Sequence, residues 1–135
     1  MQTVNGALNS RKLQRMLTVV IGTVWVFHGL YSKISDGIPR HRQIVERILG
    51  AEVADPATLL IGGLEVLLGI WIFTGWWRKL CALLQTLALV SMNALEILFA
   101  RDLLISASGM VALNLTFLSL VWCWALSAGK PIFTR

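Results

Sequence analysis

Charge is scarce in this chain. Of its 135 residues only 14% are Asp, Glu, Lys or Arg, 56% are hydrophobic, and the mean hydropathy is +0.72. That balance excludes an ordinary soluble domain, in which about a quarter of the residues are charged. Cysteine is scarcer still: Cys81 and Cys123 form no CxxC pair, which leaves thiol-disulfide catalysis without its motif and predicts two small, buried apolar side chains. There is no glycine-rich phosphate loop or dinucleotide fingerprint, so a nucleotide cofactor is not indicated. Neither HExxH nor ExxH spacing occurs, so no metal is expected; haem would need both His28 and His41, and only His28 lies in an apolar run. The sequence shows no internal repeat, which speaks against the inverted-repeat architecture of secondary transporters.

What the chain has in abundance is apolar length. Residues 13–32, 57–77, 80–100 and 103–126 form four runs, each close to the ~20 residues a helix needs to cross a bilayer. They predict one all-α unit, a polytopic membrane protein built as a four-transmembrane-helix bundle. Arg11, Lys12 and Arg15 precede the first run, but no small-x-small cleavage site follows, so the run reads as an uncleaved signal-anchor. The formal charge of +5 does not point to nucleic acid, because the basic residues gather at span ends. Arg11, Lys12, Arg15, Arg78, Lys79, Lys130 and Arg135 fall on one side, against Lys33, Arg40, Arg42, Arg47 and Arg101 on the other. The positive-inside rule then places both termini in the cytoplasm, with Trp76, Trp77, Trp122 and Trp124 as an inner aromatic belt.

The one long connection, between spans 1 and 2, contains "PRHRQIVERILG". Pro39 suits a helix start, Ile44, Val45, Ile48 and Leu49 share a face, and Gly50 suits an end. A short amphipathic helix over 39–49, lying on the outer surface or capping the bundle, is expected. "DPAT" then predicts Asp55 as the N-cap of span 2, with Pro56 at its first helical position.

Ionisable residues inside spans are costly, by roughly 2.5–3.5 kcal/mol each on insertion scales, so they face the bundle interior and find partners. Glu65 lies ~12 Å below the outer surface by helical rise. Asn93 and Glu96 share a face of span 3, His28 sits near the outer end of span 1 with Lys33 at its rim, and Asn114 of span 4 reaches the depth of Glu65. All four spans thus bring polar groups to one half of the membrane. Gly62, Glu65 and Gly69 share a face, as do Trp25, His28 and Ser32, and as do Gln85, Leu89, Asn93 and Glu96. A pocket or a tight polar network is expected there. Two roles stay open for each member: Glu65 as a structural clasp to Asn93 or Asn114 or as a functional carboxylate, and Lys33 as an interface anchor or as the partner of Glu65 or Glu96.

The stretches "VWVFHGLYSKI", "GGLEVLLGIWIFTG" and "SMNALEI" resemble the DoxX-like family of small four-helix membrane proteins over nearly the whole chain. The resemblance implies a four-helix bundle with a polar interior. It singles out Lys33, Glu65, Asn93 and Glu96 as site residues. The family includes the membrane subunit of a thiosulfate:quinone oxidoreductase and partners of other membrane oxidoreductases. It therefore implies a bacterial inner-membrane accessory subunit of a larger complex, with quinone as the cofactor to expect. A proton-coupled or small-molecule carrier, working as a homo-oligomer, and a structural scaffold are the alternatives.

Overall fold

The computed structural model describes residues 2–127; Lys130 and Arg135, two of the basic residues that carry the topology argument, lie outside the described residues. The chain begins with α1 (Gln2–Phe27), whose hydrogen bonding shifts to π-helical geometry over His28–Ile34. A short α2 (Pro39–Leu49), then α3 (Ala51–Thr74), α4 (Arg78–Phe99), a 3-10 turn (Arg101–Leu103) and α5 (Ala107–Leu126) follow. There is no strand among the described residues. Among the described residues four helices are long and apolar enough to span a bilayer: Asn9–Ile34, Ala51–Thr74, Arg78–Phe99 and Ala107–Leu126. Large aliphatic side chains such as Leu60, Leu64, Leu67, Leu87 and Leu113 stand on the outside of the bundle, as expected where lipid replaces water as the solvent.

Glycines set the closest approach. A Cβ on Gly29 would collide with the Gly62 carbonyl oxygen, one on Gly62 would meet the Gly29 carbonyl at 2.9 Å, and one on Gly69 would meet the Gly22 carbonyl at 3.0 Å. Backbones this close let α1 and its π segment lie directly on α3, since membrane helices associate by packing rather than by a hydrophobic drive. Around the bundle the neighbours run α3, α1, α5, α4, with α1 chiefly on α3 and α4 chiefly on α5. The apolar core sits at the end nearest the α3–α4 turn, where Leu17, Ile21, Trp25, Ile72, Cys81, Val121 and Trp124 pack together.

The amphipathic helix between the first two spans forms where expected. Pro39 opens it, Ile44 and Val45 are its buried residues, and Gly50 ends it at φ 96°. The start of the next helix differs from expectation. Asp55 is not an N-cap, because α3 begins at Ala51, directly after Gly50, and Pro56 lies within the helix. Glu52, whose carbonyl would bond residue 56, and Pro56 itself are both exposed. The lost hydrogen bond can therefore be replaced by water or headgroups, which removes much of the penalty for proline there. At the other turn, Ser106 caps α5 by accepting from the Gly109 amide at 3.1 Å, so the last helix begins later than residue 103.

Two side-chain expectations are corrected. Trp124 does not join an interfacial belt: it is fully buried and donates from Nε1 to Thr18 Oγ1 at 2.9 Å, while Trp76 and Trp77 are exposed at the turn. Cys81 is buried, but Cys123 is exposed on α5.

Candidate functional site

Sequence spacing puts Glu65 one helical turn from Gly62 and from Gly69, on the α3 face that the glycines press against α1. The π segment supplies the partner. In it both Ser32 and Lys33 turn inward and are buried. Consecutive inward residues are hard to place on a regular α-helix, and π-turns recur at functional positions. Lys33 Nζ donates to both carboxylate oxygens of Glu65, each at 2.9 Å, with the two residues only 5% exposed. The interface-anchor role for Lys33 is thereby replaced by a buried ion pair. Its partner is Glu65, which does not clasp either asparagine.

Asn93 and Asn114 bond each other instead: Asn114 Nδ2 donates to Asn93 Oδ1 at 2.7 Å, tying α4 to α5. Deeper in the bundle Trp25 Nε1 donates to Gln85 Oε1 at 2.8 Å, linking α1 to α4, and Trp122 Nε1 donates to Thr86 Oγ1 at 3.0 Å. Each of these bonds ties two helices together.

The remaining polar groups at the α2 end do not. Glu96 is half-buried, within electrostatic reach of Lys33, Arg40 and Glu65, yet among the described residues its carboxylate makes no hydrogen bond or ion pair. Ser32 Oγ is buried with no hydrogen-bond partner. His28 lies with its ring 6.0 Å from that of His41 on α2, centroid to centroid, and Phe27 packs edge-on against His28 and stacks on Tyr31. Burial, and then the neighbouring charge of Lys33, His28 and Arg40, pulls the His41 imidazole down to about 4, so it is neutral at pH 7.

The structure therefore gathers His28, Lys33, Glu65 and Glu96 at one end of the bundle, as the sequence suggested, and sets Asn93 and Asn114 apart as a pair. It adds Arg40 and His41 from α2, which the sequence offered only as an outer-side basic residue and as the second ligand of a disfavoured haem. The signal for His41 was present: residues 41, 44, 45 and 48 share one helical face, the face that docks. The expected polar pocket takes the form of a packed network. Two cavities of pocket size, about 450 Å³ beside Asn9, Lys12 and Met16 and about 440 Å³ beside Leu30, Leu64 and Leu67, lie elsewhere.

Fold and site together define a polytopic helical membrane protein with a buried Lys-Glu pair between its first two spans. The profile of the DoxX-like family matches residues 22–122, about three quarters of the chain, and the chain belongs to that family. No curated protein and no solved structure matches it.

Proposed function

We propose that this DoxX-like protein is an accessory subunit of a larger quinone-linked oxidoreductase in the bacterial inner membrane, and that its α2 end receives a quinone headgroup. The observation that carries the reading is the cluster of polar groups around the Lys33–Glu65 pair that make no hydrogen bond among the described residues: the buried Ser32 hydroxyl and the partly exposed Glu96, His28 and His41 side chains. A buried hydroxyl is normally paired, and one left open beside three polar side chains with free valences suits a partner from outside the chain. A quinone offers two carbonyl oxygens to donors such as the Ser32 hydroxyl and the imidazole N–H groups, and a flat ring to the Phe27–Tyr31 stack.

Reduction of a quinone to a quinol takes two electrons and two protons. The partner subunit supplies the electrons, since the sequence carries neither CxxC nor a nucleotide fingerprint. Glu96 and His28 exchange the protons, and His41 connects them to water at the membrane surface. In this reading Lys33 and Glu65 hold the geometry, and Asn93 and Asn114 brace α4 against α5. The inter-helix ties favour a scaffold role for that second pair alone.

The test is purification of the tagged protein from its native membranes in mild detergent, with identification of co-purifying proteins and lipid-soluble small molecules. A stoichiometric oxidoreductase with bound quinone is the expected result. Recovery of a ligand-free homo-oligomer would contradict it and support the carrier alternative.

A further inference from the structure

Charge is divided between the two ends of the bundle. All seven carboxylates of the chain, from Asp36 to Asp102, lie in the α2 half, and residues 1–35, 66–95 and 103–135 contain no Asp or Glu. The end nearest the α3–α4 turn therefore carries Arg11, Lys12, Arg15, Arg78 and Lys79 with no acidic residue to pair with them. Basic residues scattered at span ends are general to membrane proteins. Here tertiary contacts gather them on one shelf.

α1 and α3 run antiparallel, with Gly22 against the Phe73 ring, so α3 ends at Thr74 while α1 continues past it. Arg15 and Arg11 lie ~10 and ~16 Å beyond Gly22 by helical rise. At spacings of seven and eleven residues they share its face of α1, so the face that packs on α3 higher up runs on beneath the α3–α4 turn. Both arginines are exposed. The turn itself is held firmly: Trp71 Nε1 donates to the Trp76 carbonyl at 2.8 Å and the Trp76 amide to Thr74 Oγ1 at 3.3 Å. Arg78 Nη1 reaches the Trp124 carbonyl and Ser127 Oγ at 3.4 and 3.3 Å, and Trp124 in turn bonds Thr18 of α1. Trp77 is kept at φ 47°, a costly conformation for a bulky residue, and stands 77% exposed beside Trp76 at 64%. Indole rings favour the headgroup layer, which serves both their apolar body and their N–H.

We propose that this shelf binds an anionic phospholipid, with Arg11 and Arg15 of α1 and Lys79 after the turn around its phosphate and the Trp76 and Trp77 indoles against its glycerol and upper acyl region. Guanidinium groups match phosphate oxygens in geometry as well as charge, and basic pockets between spans suit such headgroups. The apolar surface resumes directly at Met16 and Leu80, both exposed. A group that meets these cations thus has hydrocarbon beside it, which is the arrangement of a phospholipid. The bound lipid staples α1 to the α3–α4 turn, and the inference is independent of the quinone reading.

The experiment is native mass spectrometry of the full chain, purified in a nonionic detergent and titrated with phosphatidylglycerol or with phosphatidylcholine of the same chain length. Phosphatidylglycerol should half-saturate the chain at a concentration roughly 25-fold lower, at about fivefold for each of the two arginines. Arg11→Gln with Arg15→Gln should bring the two lipids close to level. Arg42→Gln with Arg101→Gln removes the same charge at the α2 end and should keep the preference, which separates a site from a general effect of net charge. Equal half-saturation of the parent chain by the two lipids, or the same loss of preference in both double variants, would overturn the proposal.

Discussion

The two ends of this bundle handle their polar groups in opposite ways. At the end nearest the α3–α4 turn, Trp25, Gln85, Thr18, Trp124, Thr86 and Trp122 are all paired across helices around an apolar core. At the α2 end a buried ion pair is satisfied, while among the described residues the buried Ser32 hydroxyl and the partly exposed Glu96, His28 and His41 side chains around it make no hydrogen bond. Paired groups fix which helix touches which, and leftover groups cost stability unless something else uses them. The first arrangement is a brace. The second has the character of a binding site, where a fold keeps polar groups ready for a ligand.

The sharpest way to break this contrast is to remove one member of the ion pair. Lys33→Met strands the Glu65 carboxylate in the bundle and should cost about 3–5 kcal/mol, the range for an orphaned buried charge. A thermal melt in detergent would show it, and Lys33→Met with Glu65→Met should recover most of the loss. Next in size is a test of the glycine contact using neighbouring residues of one helix. Gly62→Ala pushes a methyl group against the Gly29 carbonyl and should cost about 1–3 kcal/mol. Gly63→Ala, with nothing within 4 Å, should be neutral or slightly stabilising. If the two behave alike, close packing is not what seats Lys33 beside Glu65.

Smaller effects separate the brace from the site. His41 gives a pH signature at the α2 end. Its ordinary value is 6.5 and docking lowers it to about 4, so undocked α2 binds the proton more readily. The stabilisation that neutral His41 lends to docking is therefore fully present above pH 6.5 and is progressively lost as pH falls through about 4. Hydrogen exchange of the α2 amides, corrected for intrinsic pH dependence, should show this protection loss, and His41→Gln should flatten it. Smallest of all is the stability change for Glu96→Gln, within about 0.5 kcal/mol, because the carboxylate makes no bond that the amide would forfeit. A large loss would place Glu96 in the brace.

Much of this architecture was legible in the sequence because two simple signals carry it. Apolar runs of membrane-spanning length gave the spans, and ionisable residues interrupting them gave Glu65, Glu96 and His28. Pairing was less legible. A Lys at the end of an apolar run has the same local pattern whether it reaches for headgroups or turns inward, and the π segment that carries Lys33 inward, where Gly29 meets Gly62 across the helix interface, has no local sequence signal. The start of α3 was obscured by Pro56, which marks a helix beginning by local rule but here sits on an exposed face that tolerates it. Arg40 and His41 were hidden because their importance comes from where α2 docks.

The most direct test of the α2 end as a binding site is a titration of purified protein with a short-chain, water-soluble ubiquinone analogue, followed by thermal unfolding, for the parent chain and for Glu96→Gln. The account predicts that saturating analogue raises the parent midpoint by several degrees, since a ligand at 100 times its Kd stabilises by about 2.7 kcal/mol. It also predicts that Glu96→Gln, equally stable without ligand, shows little or no rise. No rise in the parent chain, or the same rise in both, would contradict it.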